Sequence, residues 1–125
     1  MTRINCGIPP MELSNKHLLS EARELKRIPN CVSKGRYNLK NQPKEFKLGT
    51  GHVSFFYSRL GYLKKRYEEL YAECKRRGFN VQYYGEAWDN VPLHLMGDYT
   101  PSDTDRQIIR ERISERLKTS KKKIK

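Results

Sequence analysis

Cysteine is scarce in this chain, and its three copies, Cys6, Cys31 and Cys74, are odd in number and form no CxxC pair. A disulfide framework is therefore not expected, and free thiols in a reduced, cytoplasmic compartment fit best. Histidine is as rare: His17, His52 and His94 share no zinc-ligand spacing with one another or with cysteine, so no metal is expected. No apolar run approaches the length of a membrane span, and the first residues lack the apolar core of a signal peptide. Alternating apolar and polar residues never persist long enough for a sheet, and no internal repeat is visible. The expected class is all-α.

Acidic residues are also few, 14 against 26 Lys plus Arg, leaving a net charge of +12 on 125 residues. Only Lys121, Lys122, Lys123 and Lys125 form a terminal cluster, so the remaining excess belongs to the folded body and should attract a polyanion. Double-stranded DNA is the leading partner. An anionic membrane surface is second, weakened by the lack of a separate basic amphipathic segment, and no membrane association is expected. The length suits one domain, read as residues 1–118, with residues 119–125 as a basic, disordered tail. A monomer is expected.

Read along the chain, residues 1–10 form an extended arm ended by Pro9-Pro10, which cannot sit inside a helix. Ser14 is a plausible N-cap for a first helix containing HLLSEARELKR, which should stop before Pro29. A short helix near Val32 to Leu39 and a polar loop follow. From Val53 through Phe56, Leu60, Leu63, Tyr67 and Leu70 to Cys74, apolar residues step by three and four, predicting a long central helix with Gly78 as its stop. Gly61 costs that helix about 1 kcal/mol relative to alanine and predicts a close helix-helix approach. Phe79 to Pro101 read as irregular and rich in aromatics. Ser102 and Asp105 resemble a capping box for a third helix running to about Lys118.

On the first helix His17, Glu21, Glu24 and Ile28 line up at i, i+4, i+7 and i+11, beside an apolar stripe of Leu18, Ala22 and Leu25. Arg23 and Arg27 pair on the far side. Glu24 lies between the stripe and the arginines, where a half-desolvated carboxylate could face a polyanion as an acid or base. The plainer reading of the same residues is a surface ion-pair helix. GTGHVSF, Gly49 to Phe55, lacks the ending of a P-loop and reads more readily as a helix start than as a phosphate contact. Cys74 reads as core, and Tyr83 to Trp88 as packing rather than base-stacking platforms.

Thr2 is the unusual residue. Its small size permits removal of Met1, leaving a free α-amine with a reference pKa of about 7.7 to 8.0. Near pH 7.4 roughly a quarter to a third of such amines are neutral, against about one lysine in a thousand. Arg3 and the arginines of the first helix would depress it further by like charge. For imine chemistry this amine is a better nucleophile than any lysine of the chain.

Taken together, MTRIN, H-x3-E-x-REL-x-R, LGTGHVSFFY, ECKRRGFN and GDYTP resemble the phage-type family of pyrimidine-dimer DNA glycosylases with abasic-site lyase activity, the dimer-specific endonuclease V family. The resemblance runs from Met1 to about Asp103. It implies a compact single domain of three main helices with the N-terminal arm packed between them, damaged duplex DNA as substrate, and no cofactor. It implies the α-amine of Thr2 as nucleophile and Glu24 as the catalytic carboxylate. It further implies that Arg3, Arg23 and Arg27 hold the phosphates of a kinked duplex, that His17 lies in the site, and that a base is extruded. The expected setting is the nucleoid of a bacterial or phage-infected cell. The chain departs from the family in three places: Lys26 stands where proline is expected, Ala22 replaces an aromatic residue, and KTSKKKIK ends the chain in place of a WYKYYG-like tail. An abasic-site lyase without dimer specificity and a non-catalytic basic DNA-binding protein are the alternative readings.

Overall fold

The computed structural model describes residues 3–40 and 42–124, with side chains to Leu117. Its α-helices are α1 (Asn15–Glu24), α2 (Arg27–Ser33), α3 (Leu60–Arg76) and α4 (Asp103–Ile124), and no strand occurs among the described residues. The all-α expectation holds, with α1, α3 and α4 as the three main helices.

Ser14 caps α1 as expected, its hydroxyl accepting the His17 N–H at 3.2 Å. The first helix is not continuous through Arg27, however. It ends at Glu24, and α2 starts after a turn at Leu25 and Lys26. Pro29 explains the break. In a continuous helix its ring would meet the Leu25 carbonyl, whereas in the first turn of a new helix its missing N–H is no loss. Pro29 thus lies inside a helix rather than beyond one, and the short helix expected near Val32 to Leu39 is displaced to Arg27–Ser33.

The central helix is also shorter than its apolar periodicity. Ser54–Phe56 form a 3-10 turn, and the α-helix starts only at Leu60. Arg59 pairs in an isolated bridge with Met96, and Tyr62 N–H donates to Gly97 O at 3.1 Å, so a neighbouring segment satisfies one of the helix's first amides. Gly61 makes this possible. A Cβ there would stand 2.6 Å from Met96 O and 2.9 Å from Gly97 O. The close approach read from Gly61 is real, but its partner is the irregular backbone just after the Leu93–Leu95 3-10 turn, not a packed helix. At the other end Gly78 adopts φ +84° and closes α3, with Phe79 N–H donating to Cys74 O. The capping box of α4 forms as read: Ser102 Oγ accepts from Asp105 N–H and Asp105 Oδ2 accepts from Ser102 N–H. The backbone of α4 then continues to Ile124, through the segment read as a tail.

The core joins Leu18 and Ala22 of α1 and Leu25 of the turn after it to Leu60, Leu63, Tyr67, Leu70 and Cys74 of α3, together with Phe46, Phe55, Phe56 and Trp88. Ile4, Cys6 and Ile8 of the arm are as deeply buried as any helix residue. The arm is therefore part of the core. Gly61→Ala should lower the unfolding free energy by about 1 to 3 kcal/mol, and with it the urea midpoint, despite alanine's helix propensity, because overpacking against a carbonyl outweighs the gain. A midpoint at or above wild type would refute that balance.

Candidate active site

Two charged residues lie on apolar stripes, and the fold brings them together. Glu21 of α1 sits between Leu18 and Leu25 in the sequence pattern, and Arg66 of α3 between Leu63 and Leu70. They are 2% and 4% exposed. Arg66 Nε donates to Glu21 Oε2 at 2.6 Å and Nη2 to Oε1 at 3.0 Å. Burial opposes the charge on Arg66, but the Glu21 carboxylate outweighs it, and the guanidinium is held above its ordinary range. The remaining donor, Nη1, reaches Ile8 O at 2.7 Å.

The pair reaches the arm through Asn5 as well. Asn5 Nδ2 donates to Glu21 Oε1 at 2.8 Å, and Asn5 Oδ1 accepts from Arg112 Nη2 of α4 at 2.9 Å. Gly7 N–H donates to Tyr62 OH at 3.2 Å, and Arg106 Nε to Gly7 O at 3.3 Å. Ile4 N–H donates to His52 Nε2 at 3.0 Å. Hence α1, α3, α4 and the Gly49 to Phe55 loop each hold the arm, as the expectation of an arm packed between helices requires. In that loop Gly49 and Gly51 adopt φ +71° and +93°, His52 turns inward, and the stretch enters a 3-10 turn at Ser54 rather than an α-helix.

Thr2 lies outside the described residues, and Arg3 is half-buried at the start of the described arm. Glu24, with its side chain 26% exposed, ends α1 and accepts from Arg27 Nη1 at 3.3 Å. Arg27, in the first turn of α2, thus pairs with Glu24 across the break. Arg23 is exposed, while His17 is half-buried with its Nδ1 unpartnered. Burial lowers the His17 pKa, and Lys16 and Arg112 lower it further against the pull of Glu21. Arg112 is itself held below the usual guanidinium range by burial. Sequence reasoning missed Asn5, Glu21, His52, Arg66 and Arg112 as a group. The signal for Glu21 and Arg66 was present: opposite charges, each interrupting an apolar stripe.

Beside this region, Arg23, Leu19 and Ala22 of α1, Tyr67 and Tyr71 of α3, and residues 80–82 with Tyr84 line a groove of about 280 Å³. Lys26 Nζ stands 3.3 Å over the Tyr84 ring at its edge. Trp88, by contrast, is buried against Tyr67, in keeping with the packing role read for it. No group of three His, Cys, Asp or Glu among the described residues is placed to hold a metal ion.

The sequence profile of the pyrimidine dimer DNA glycosylases matches residues 1–84, which carry the arm, α1, α2, the His52 loop and all of α3. The chain belongs to this family. It is an enzyme of DNA repair, a glycosylase whose substrate is DNA containing pyrimidine dimers, and the non-catalytic reading is thereby set aside. The glycosylase has no helix among its described residues long and apolar enough to cross a membrane. The matched segment ends before α4, and Arg112 of that helix meets the arm at Asn5.

The buried pair gives a direct test of how the arm is held. Glu21→Gln strands the Arg66 charge and should cost about 3 to 5 kcal/mol in urea unfolding. The double variant Glu21→Leu/Arg66→Met should recover only part of this, because Ile8 O and the Asn5 amide remain without partners. Full recovery would show that the arm contacts contribute nothing to stability.

Proposed function

We propose that this glycosylase works through the α-amine of Thr2 and the carboxylate of Glu24. The observation that carries the reading is the anchoring of the arm. Ile4 N–H is fixed by His52 and Asn5 by Glu21 and Arg112, and two residues of chain span at most about 7 Å. The α-amine is thus tethered within that distance of a rigid point, and Glu21 stands three residues before Glu24 on α1. Such tethering supplies the proximity an attacking group needs.

The neutral amine attacks C1′ of the damaged nucleotide's sugar. The N-glycosyl bond breaks and its electron pair leaves with the pyrimidine, which takes up a proton. Loss of the amine's protons and opening of the sugar ring give an imine between Thr2 and C1′, with the ring oxygen protonated. The imine is an electron sink: loss of a C2′ proton sends electrons toward it and expels the 3′ phosphate, which departs with the C3′–O electron pair. Glu24 serves as the acid and base for ring opening and C2′ proton transfer. Its partial exposure lets it exchange protons with water, and Arg27 keeps a cation beside it.

Arg3, Arg23, Arg27 and Arg112 are the cations that hold phosphates. Arg23 also borders the groove, whose aromatic faces and roughly 280 Å³ suit a base extruded from the duplex. His17 neighbours Arg112 and Glu21 and, remaining neutral near pH 7, can accept or donate a hydrogen bond to bound DNA without adding charge. A dimer-containing duplex treated with borohydride should become covalently fixed to Thr2. Glu24→Gln should retain duplex affinity while strand cleavage falls by about 100-fold or more. An active preparation that yields no cross-link would remove Thr2 from the mechanism, and equal loss of binding and cleavage would make Glu24 a residue of the fold.

A further inference from the structure

His52 is 1% exposed, and both ring nitrogens are in use. Nε2 accepts the Ile4 N–H at 3.0 Å, so Nδ1 must carry the ring proton and donates it to Lys47 O at 2.8 Å. This is the neutral imidazole in one tautomer. The ring is wedged edge-on against Phe46 and Phe56, at 5.5 and 5.9 Å between centroids. Gly51, with φ +93°, supplies the backbone reversal that turns the loop inward at this point. The loop therefore builds a rigid acceptor for one backbone amide of the arm.

That amide is the anchor nearest to Thr2 among the described residues. We infer that His52 is a positioning residue of the reaction, fixing the α-amine of Thr2 for attack by holding Ile4 N–H. This rests on Thr2 as the nucleophile. His52 touches neither sugar nor base in this role; its contribution is orientation, and a displacement of about 1 Å at an attacking atom can cost about 100-fold in rate.

The arrangement carries a proton dependence. A proton on Nε2 removes the acceptor and sets two N–H groups against each other at Ile4. Burial lowers the His52 pKa, Lys47 O works against that, Arg112 of α4 lowers it again, and Glu21 of α1 raises it. The group is thus neutral at pH 7 and takes its proton only below the usual histidine range. The amine of Thr2 loses reactivity by about tenfold per pH unit below its own pKa. Once His52 also protonates, a second proton should steepen that loss toward about 100-fold per unit.

The experiment measures the first-order rate of borohydride-trapped cross-link at saturating dimer duplex from pH 8 to pH 5, for wild type, His52→Phe and His52→Gln. Phenylalanine keeps the aromatic wedge without an acceptor; glutamine keeps a carbonyl acceptor that does not titrate. The expected result is a rate about tenfold or more lower for His52→Phe with duplex affinity within about twofold, rescue by His52→Gln, and the steep acid limb in wild type only. Should His52→Phe fail to fold, His52→Leu, which also lacks an acceptor, takes its place: trapping at the wild-type rate overturns the inference, and a rate about tenfold or more lower with rescue by His52→Gln supports it. A folded His52→Phe that traps at the wild-type rate also overturns it while leaving Thr2 as nucleophile intact. Wild-type enzyme that cleaves without cross-linking overturns the Thr2 mechanism and this inference together.

Discussion

Desolvating a carboxylate and a guanidinium costs several kcal/mol for each ion, and Glu21 and Arg66 offset that cost only because they meet in two hydrogen bonds between α1 and α3. Hydrophobic residues at both positions would join the helices at least as well. What they would not do is reach the arm: Arg66 also binds Ile8 O, and Glu21 also binds the Asn5 amide. The pair is the point at which helix packing and arm placement become one problem. A chain terminus, ordinarily the least ordered part of a domain, is in this way built into the core up to Ile4.

This arrangement would suit the amine chemistry proposed for Thr2. Lysine carries its nucleophile on a long flexible stem and holds its proton near neutrality. A terminal amine is less basic but needs the backbone itself to be immobilised. The backbone contacts of Ile4, Gly7 and Ile8 provide that, each to a different neighbour: His52, Tyr62 with Arg106, and Arg66. Tyr62 in turn donates to the buried thiol of Cys6, whose pKa burial pushes up to about 12, so this cysteine is no competing nucleophile. Glu24, the carboxylate proposed for the site, lies outside this dry interior, at the break between α1 and α2.

The break itself shows where linear pattern reading loses force. The periodicity of HLLSEARELKR continues through Arg27, and nothing in it marks a turn at Leu25 and Lys26; the displacement is caused by Pro29, which relocates the helix start to suit its missing N–H. In the central segment, apolar spacing runs from Val53 unbroken, but the helix waits until Leu60 because Gly97 O and Met96 offer partners to Tyr62 and Arg59. Spacing reports which residues face the core. It does not report which backbone groups find a better partner elsewhere.

From the sequence alone came the all-α class, the Ser14 cap, the Ser102 and Asp105 capping box, the Gly78 stop, the buried stripe of α3 and the attraction to a polyanion. Each depends on residues within about four positions of one another or on a sum over the chain, so local order suffices. The family was legible too, through motifs spread from the arm to the segment just before α4. Only the tertiary structure decided that His52 belongs to the arm, that Arg112 meets Asn5 across 107 positions, and that Glu21 is the interior carboxylate while Glu24 stays at the edge. Those are hydrogen bonds between distant groups, and their partners are chosen by shape and burial after the helices have met, which no spacing along the chain encodes.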